Sequence, residues 1–331
     1  MTAERITTLL FAAVFLAVSA YSAFAAEKLV VYTSMKESII GSLKEAFVKK
    51  YPDIAMDYQS AGAGKLMAKI ATERQSGKIM ADIIWTSEVP DFFNMKAEGI
   101  LEKYESPELK AVINPFPDFD GSFTAIRLGT LGIAYNKRHV KEAPTQWSDM
   151  MKPEFKKAFG IANPALSGTS YMSIQLLVDK FGWEYIENVH KNGARMGKGS
   201  GQVIDDTASG DLLACIGVDY IVNDKIKKGA DLALVYPPEM LVIPSPAAIF
   251  KGTPNLDAAK KFVDFLLSEE GQKILASQGT LPVRKGIVPP AEFGLPTSEQ
   301  AFERGIKIDY QHILSAKEST VKKFTDIMMS K

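Results

Sequence analysis

A regular alternation of strand-like and helix-like segments constrains the fold of this chain more than any other feature. Residues 28–32, 54–58 and 81–85 are short apolar runs of strand length, and helical segments at 38–50 and 65–75 separate them. Strands that alternate with helices in this way form a mostly parallel sheet with helices on its faces. The sequence therefore predicts an α/β fold.

The rest of the chain indicates two lobes. A chain of 331 residues exceeds the usual size of a single hydrophobic core. Segments 121–136 and 240–250 are long and β-rich, and we interpret them as two crossing strands that form a hinge beside a cleft. The predicted limits are 1–26 for a signal peptide, 27–125 with 245–295 for lobe one, 126–244 for lobe two and 296–331 for a C-terminal helical segment.

The start of the chain is typical of a secretory signal peptide. Arg5 precedes an apolar run at residues 6–20, and Ala23-Phe24-Ala25 matches the small-x-small pattern of a cleavage site. The run is shorter than the roughly 20 apolar residues that span a bilayer. No cysteine lies nearby to carry a lipid anchor, and Cys215 is the single thiol of the chain. We expect a soluble, monomeric periplasmic protein without disulfides.

Composition excludes several classes of function. The chain has 39 basic and 39 acidic residues, whereas a nucleic-acid or anionic-membrane partner normally demands a basic surplus. Its three histidines, His139, His190 and His312, lie in polar segments without the spacing of metal ligands or of a hydrolase nucleophile. We expect no nucleic-acid partner, no cofactor and no enzymatic activity.

Five polar turns share one layout, in which a strand is followed by Ser, Thr or Gly and then by a helix. In α/β sheets, ligands bind beyond the carboxyl ends of the strands, where such turns lie. The helix N-termini there offer unpaired N–H groups and a partial positive charge, which receive anions. The turns are Thr33-Ser34, residues 60–64, Thr86-Ser87, residues 167–170 and residues 199–201.

The polar turns supply the first group of candidate ligand contacts. A helix N-cap is the commoner role of a single Ser or Thr at such a position, but the recurrence of the layout favours a pocket. The turn at 167–170 is the strongest, because one cap does not require three hydroxyl residues around a glycine. The candidates are Ser34, Ser60, Ala61, Ser87, Ser167, Gly168, Thr169 and Ser170.

Five more candidates are charged or aromatic. Lys36 is either a point charge for an anion or a solvated lysine at a helix start. Glu88 is either an acceptor for an amine, hydroxyl or metal, or an ordinary carboxylate at a helix N-terminus. Arg127 lies within a predicted crossing strand, so it either faces the cleft or is neutralised by a carboxylate. Asp219-Tyr220 follows a strand and is expected to face the cleft.

Five motifs occur in order along the chain: LVVYTS (29–34), SAGAGKL (60–66), ADIIW (81–85), GIAYN (132–136) and AAKKFVDFL (258–266). Together they resemble the periplasmic binding proteins of ABC importers, and most of all the branch that holds ferric-iron, 2-aminoethylphosphonate and sugar-phosphate binders. The resemblance implies a type II, Venus-flytrap fold that closes around a small-molecule solute. It also implies a membrane permease as partner.

Within that branch, ferric-iron binders typically have two adjacent tyrosines after the strand matched here by 212–218, and many have a histidine near the first turn. This chain has Asp219-Tyr220 and Lys36 instead. The loss of a phenolate and the gain of an ammonium disfavour a trivalent cation by direct repulsion.

The resemblance therefore favours an organic phosphate or phosphonate. Its anionic group would be held by Ser34, Lys36 and the turns at 60–64 and 167–170, and an amine or hydroxyl by Glu88 and Asp219. Two alternatives stay open. One is a ferric-iron binder that coordinates through Glu88, Asp219 and Tyr220, and the other is a hydrolase of phosphorylated solutes on the same scaffold.

Overall fold

The computed structural model describes residues 27–116 and 119–330, so the predicted signal peptide at 1–26 lies outside the described residues. One sheet of ten strands organises this part of the chain. The strands are β1 (Glu27–Thr33), β2 (Ile54–Ser60), β3 (Ile83–Trp85), β4 (Thr124–Asn136), β5 (Phe159–Ala162), β6 (Arg195–Gly197), β7 (Ala214–Val218), β8 (Leu232–Val235), β9 (Leu241–Ile249) and β10 (Leu281–Pro282).

Helices cover the sheet and connect most of its strands. Four short 3₁₀ helices add to them at Pro107–Ala111, Trp147–Met151, Pro153–Phe155 and Ala291–Phe293. No helix within the described ranges is long and apolar enough to cross a membrane. The α-helices are α1 (Glu37–Lys50), α2 (Ala63–Gln75), α3 (Val89–Ala97), α4 (Gly168–Phe181), α5 (Trp183–Lys191), α6 (Ser200–Ser209), α7 (Asp219–Lys227), α8 (Leu256–Leu267), α9 (Glu269–Ser277), α10 (Ser298–Arg304) and α11 (Tyr310–Met329).

The sheet has parallel strands at both ends and antiparallel strands in the middle. Its order is β2-β1-β3-β9-β4-β7-β5-β6, with β8 and β10 also paired to β4. β1 pairs in parallel with β2 and β3, and β5 pairs in parallel with β6 and β7. Between them, β9 and β4 run antiparallel to each other and to their neighbours. The predicted α/β architecture is confirmed, but the parallel pairing is confined to the two ends.

The long strands β4 and β9 pair along most of their length and join the two ends of the sheet. Their register shifts between the pairs Ala125↔Pro246 and Arg127↔Ser245, which marks a β-bulge. The lobe limits that we predicted from the sequence, 125/126 and 244/245, lie opposite one another at this irregularity. A bulge bends a strand locally, so this position suits a hinge.

The helices begin where the polar turns predicted them or slightly earlier. α4 begins at Gly168 and α7 at Asp219, so residues that we assigned to turns form the first helical turn. Gly, Ser and Asp have low helix propensity in a helix interior but are favourable at its start. The first four N–H groups have no partner within the helix there, so local polar side chains do not compete with helical hydrogen bonds. The short elements α5 and β6 were not predicted. β6 has only three residues and so shows no alternation, whereas α5 does carry the signal of a helix, since Tyr185, Ile186 and Val189 form one buried face.

The apolar positions at helical spacing form the core beneath the sheet. Ile39, Leu43 and Phe47 of α1 are fully buried. The Phe47 ring packs edge-on against Phe262 of α8, with the ring centroids 4.9 Å apart. Edge-to-face aromatic pairs contribute beyond the area that they bury. These contacts fix α1 against the sheet and so fix the position of its N-terminal end.

Candidate functional site

Six helices begin around one cavity of about 260 Å³. The cavity lies beyond the carboxyl ends of β1, β2, β3, β5, β6 and β7, where the polar turns and the helix starts follow. Residues from the turns before or within the starts of α1, α2, α3, α4, α6 and α7 form its wall. The structure thus brings the five predicted turns together at one place. The predicted site residues that line the cavity are Ser34, Lys36, Ser87, Arg127, Ser167, Gly168, Thr169 and Tyr220.

Five of the six helix starts have no side-chain cap. The N-cap residues of α1, α2 and α6 are Lys36, Gly62 and Gly199, and none of them accepts a hydrogen bond from its own helix. The N-cap residues of α3 and α7 make no such bond either, but the Tyr220 N–H of α7 already donates to the Asp219 Oδ1 at 2.7 Å. An uncapped start presents its N–H groups and the positive end of the helix dipole. The wall of the cavity is therefore rich in hydrogen-bond donors.

The serine-rich turn before α4 has a double role. The Ser167 Oγ accepts a hydrogen bond from the Ser170 N–H at 3.3 Å, so Ser167 is an N-cap as well as a wall residue. Its hydroxyl also lies 3.1 Å from that of Ser200 at the start of α6. Ser170 points away from the cavity and donates to the Ala162 carbonyl at the end of β5. Thr169 lines the cavity beside them.

Two residues of the second turn hold the loop rather than face the cavity. The Ser60 hydroxyl donates to the Met35 carbonyl at 2.7 Å, and the Ala61 N–H donates to the Thr33 carbonyl at 3.0 Å. These bonds attach the end of β2 to the turn after β1. They place the start of α2 next to the start of α1.

The charges of the wall have one sign. Lys36, Lys65, Arg127 and Lys198 line the cavity, and its wall contains no aspartate or glutamate among the described residues. Within the same ranges, no carboxylate lies within 4.0 Å of the three lysine ammonium groups. Lys65 and Lys198 were not singled out from the sequence. They flank the polar turns at 60–64 and 199–201, and that position was the available signal.

Arg127 lines the cavity and is also neutralised by a carboxylate, so the structure combines the two alternatives considered for it. It is 1% exposed, and its Nη1 lies 3.4 Å from the Asp219 Oδ1 and 2.6 Å from the Thr280 Oγ1. Its guanidinium also lies over the Tyr220 ring, 4.9 Å from the centroid. These contacts join β4 to α7 at the cavity wall.

Asp219 does not line the cavity. It is fully buried, and its Oδ2 accepts from the Thr130 N–H at 2.9 Å and from the Thr280 hydroxyl at 2.7 Å. Burial raises the pKa of Asp219, and the Arg127 charge opposes this shift. The sequence-based expectation that Asp219 faces the cleft is not met, because its acceptors are already engaged by β4 and by the segment before β10.

Glu88 lies behind the cavity wall and faces the C-terminal helix. Its Oε1 is 3.1 Å from the Lys317 ammonium on α11, which also contacts Asp91 at 2.6 Å. Burial raises the pKa of Glu88 to about 7, while Lys317 opposes the shift and Asp91 adds to it. Ser87, one residue earlier, lines the cavity, so the chain turns its neighbouring side chains to opposite sides.

The three residues of the iron alternative are therefore not arranged as a common ligand set. Of Glu88, Asp219 and Tyr220, only Tyr220 lines the cavity. Burial raises the pKa of Tyr220 to about 12, so the group is a neutral phenol at ordinary pH when no metal is bound. In the described part of the chain, no group of three or more His, Cys, Asp or Glu side chains is placed to hold a metal ion.

Glu88→Gln is expected to change how stability depends on pH. Because the folded state raises this pKa from 4.5 to about 7, it binds the proton more tightly than the unfolded state. The stability due to this group is full below pH 4.5 and is lost as the pH rises through about 7. Glutamine mimics the neutral acid, so the variant should melt about 2–4 °C higher than the parent at pH 8, and at the same temperature at pH 5.

Thermal unfolding of Glu88→Gln at the two pH values measures this difference. Glu318→Gln, an exposed change on α11 next to Lys317, is the control and should show no such dependence. Equal behaviour of both variants would mean that Glu88 is not the group that titrates.

Three glycines allow the turns on the two sides of the cavity to pack directly against each other. A Cβ on Gly62 would lie 2.6 Å from the Leu166 carbonyl oxygen, and one on Gly64 would lie 2.5 Å from that of Ala165. A Cβ on Gly168 would lie 2.6 Å from the Cβ and 2.9 Å from the Cα of Glu88. The turns after β2 and β3 therefore touch the turn after β5 directly, with no room for a side chain.

The sheet has an α/β arrangement at each end, and the crossing strands β4 and β9 join the two. Helix starts from both ends enclose the cavity. This arrangement is that of a two-lobed binding protein that encloses a small molecule. The comparison with protein families agrees with this class. The chain belongs to the family of bacterial extracellular solute-binding proteins, whose model matches residues 78–304.

Individual relatives and solved structures support the same assignment. The chain is 32% identical over 275 residues, or 78% of each protein, to an uncharacterised protein of Haemophilus influenzae. It is 24% identical over 261 residues, or 75% of each protein, to a Salmonella typhimurium protein provisionally named as a 2-aminoethylphosphonate-binding periplasmic protein.

Two solved structures share the fold. The periplasmic binding protein AfuA of Actinobacillus pleuropneumoniae, with fructose-6-phosphate bound, has a TM-score of 0.76 and 25% identity, over 92% of this chain and 99% of that one. The iron-bound HitA of Pseudomonas aeruginosa has a TM-score of 0.75 and 23% identity, over 90% of this chain and 99% of that one. The Salmonella protein and AfuA are both named as periplasmic binding proteins.

Proposed function

We propose that this protein is the extracytoplasmic substrate-binding protein of an ABC importer, and that it captures a small organic phosphate or phosphonate. The observation that carries the proposal is the charge of the cavity wall. The described residues of the wall include four basic side chains and no carboxylate. Such a wall attracts an anion and repels a metal cation.

The helix starts strengthen the same preference. Each helix N-terminus contributes roughly half a positive charge, and its N–H groups point at a ligand oxygen. A phosphoryl group has several acceptor oxygens in a tetrahedral arrangement, so it can accept from more than one helix start at once. The Ser34 and Thr169 hydroxyls supply further donors in the same wall, whereas the Ser87 hydroxyl donates to that of Ser245 at 3.2 Å.

The named ligands of the relatives fit this chemistry. One relative is provisionally named for 2-aminoethylphosphonate, and AfuA has been solved with fructose-6-phosphate. The two compounds share a phosphoryl group and differ in the rest of the molecule. That shared group is what we assign to this cavity.

Delivery and location form part of the same proposal. The predicted signal at 1–26 would export the chain to the periplasm, where a monomer with bound solute would meet the permease. The lobes, at 27–125 with 245–295 and at 126–244, would close about the bulge in β4 and β9, and 296–331 would pack across them. In support of the last point, Tyr171 of α4 hydrogen-bonds the Ile313 carbonyl of α11 while Lys317 contacts Glu88.

The wall lysines provide the test. Replacing Lys36, Lys65 or Lys198 with glutamine should weaken binding of a phosphorylated solute by about 3- to 10-fold each, because each change removes about 1 kcal/mol of screened attraction. Isothermal titration calorimetry against glycerol 3-phosphate, fructose 6-phosphate and 2-aminoethylphosphonate measures the loss with whichever of them binds.

Lys49→Gln, on the exposed far end of α1, is the matched control and should leave the affinity unchanged. If the three wall variants bind like the control, the cavity is not the site of the anion. If ferric citrate produces a visible charge-transfer band and none of the phosphorylated compounds binds, the protein is an iron carrier instead.

A further inference from the structure

We infer that the solute carries a second anionic group besides its phosphoryl group and carries no ammonium group. This inference rests on the proposed function and specifies its ligand. The chemical class is that of phosphorylated or phosphono carboxylic acids, as opposed to zwitterionic aminoalkylphosphonates.

The first reason is that neither acidic candidate for an amine is accessible from the cavity. Glu88 contacts Lys317 on the far side of the wall, and Asp219 is fully buried against Arg127, Thr130 and Thr280. An ammonium group in the cavity would therefore meet no carboxylate among the described wall residues. Burying a charge without an opposite charge is costly, and three nearby lysines would add direct repulsion.

The neutral acceptors of the wall do not replace those carboxylates. Gln202 is the one side-chain amide among the described wall residues, and its Oε1 already accepts from the Lys198 N–H at 2.7 Å. Its Nε2 donates to Asp206 at 2.8 Å. The amide is thus fixed at the start of α6. The neutral side-chain acceptors that remain in the described wall are hydroxyl oxygens, which carry no charge to balance an ammonium group.

The second reason is the number and placement of the positive groups. Arg127 is neutralised by Asp219, which leaves Lys36, Lys65 and Lys198 without an acidic partner within the described ranges. A phosphoryl dianion satisfies two of these three charges. A phosphoryl group together with a carboxylate satisfies all three.

Four of the helix starts adjoin one another around the cavity. Lys36, before α1, has its Nζ 3.7 Å from the position of a Cβ on Gly201 in α6, so these two starts adjoin. The start of α2 adjoins the turn before α4, where Gly62 and Gly64 approach the carbonyls of Leu166 and Ala165. Lys198 precedes α6, and Lys65 lies in the first turn of α2. The three lysines thus stand at three different helix starts around the cavity, and this suits a ligand with more than one anionic group.

Three phosphonates of equal length test the inference. They are 3-phosphonopropanoate, propylphosphonate and 2-aminoethylphosphonate, which end in a carboxylate, a methyl and an ammonium group. Calorimetry on the wild-type protein should give the tightest binding for the carboxylate, and at least 10-fold weaker binding for the ammonium. Lys65→Gln and Lys198→Gln are measured with the same three compounds, and loss of the preference for the carboxylate over the methyl in at least one of them is expected. Lys49→Gln should keep the preference.

The outcomes distinguish failure of the two-anion inference from failure of the proposed phosphoryl-binding function. Binding of 2-aminoethylphosphonate as tight as that of 3-phosphonopropanoate overturns the two-anion inference and leaves the phosphoryl-binding function standing. An unchanged preference in both lysine variants also overturns the inference, because the second anion would then have no assigned partner. Failure of all three compounds, with no response to fructose 6-phosphate or glycerol 3-phosphate, overturns the proposed function itself.

Discussion

Asp219→Ala is expected to destabilise the unliganded protein by about 3–5 kcal/mol, because it leaves the buried Arg127 guanidinium without its counter-charge. The pair is almost completely buried, at 1% and 0% exposure, and Thr130 and Thr280 depend on the same carboxylate. Chemical denaturation of the ligand-free protein measures the loss. Binding should weaken as well, since Arg127 and Tyr220 form part of the cavity wall.

Asp211→Ala is the matched control for this prediction. Asp211 lies 3.4 Å from Arg195, the same distance as in the buried pair, but both side chains are largely exposed. Exposed pairs contribute little, so this change should fall within the error of the measurement. If Asp219→Ala keeps its stability and loses only binding, Asp219 contacts the solute, as the sequence first suggested.

Gly168→Ala is expected to weaken solute binding by about 5- to 150-fold, because an added Cβ overlaps the backbone of Glu88 and opposes closure of the lobes. Gly64→Ala should have a similar effect, since its Cβ would lie 2.5 Å from the Ala165 carbonyl oxygen. Both overlaps are with segments that we assign to the opposite lobe. The open, unliganded form should therefore keep its stability, and calorimetry together with thermal unfolding separates the two effects.

Gly199→Ala distinguishes closure from the chemistry of the wall. Gly199 also lines the cavity, but a Cβ at this position meets nothing within 4 Å. We expect its affinity to stay within about twofold of wild type. Equal losses in Gly199→Ala and Gly168→Ala would show that any methyl group in the wall is harmful, and the close contact of the lobes would then not explain the result.

The position of the polar turns could be predicted from local sequence patterns, but the pairing of the charged side chains could not. Strand, polar turn and helix recur along the chain, and parallel strands bring their carboxyl ends to one edge, so the nearness of Ser34 and Ser87 could be predicted. Ser167 follows β5, which belongs to the parallel group at the other end of the sheet and runs in the opposite direction. Its place in the same wall depends on how the two ends face each other across β4 and β9.

The roles of Glu88 and Asp219 could not be predicted from the sequence alone. Glu88 pairs with Lys317 and Asp219 with Arg127, and both partners are far away along the chain. Nothing near either carboxylate distinguishes a ligand contact from an internal ion pair. The same holds for Lys65 and Lys198, because a lysine at a helix start is usually a solvated surface residue. Their importance appears only when the turns are brought together.

Mass spectrometry of the small molecule that leaves the natively purified protein on unfolding tests the central claim most directly, with phosphorus and iron quantified in the same sample. We predict about one phosphorus-containing anion per chain, released by denaturation, and no stoichiometric iron. A stoichiometric iron content, or a retained solute without any anionic group, would contradict the assignment of this cavity to a phosphorylated solute.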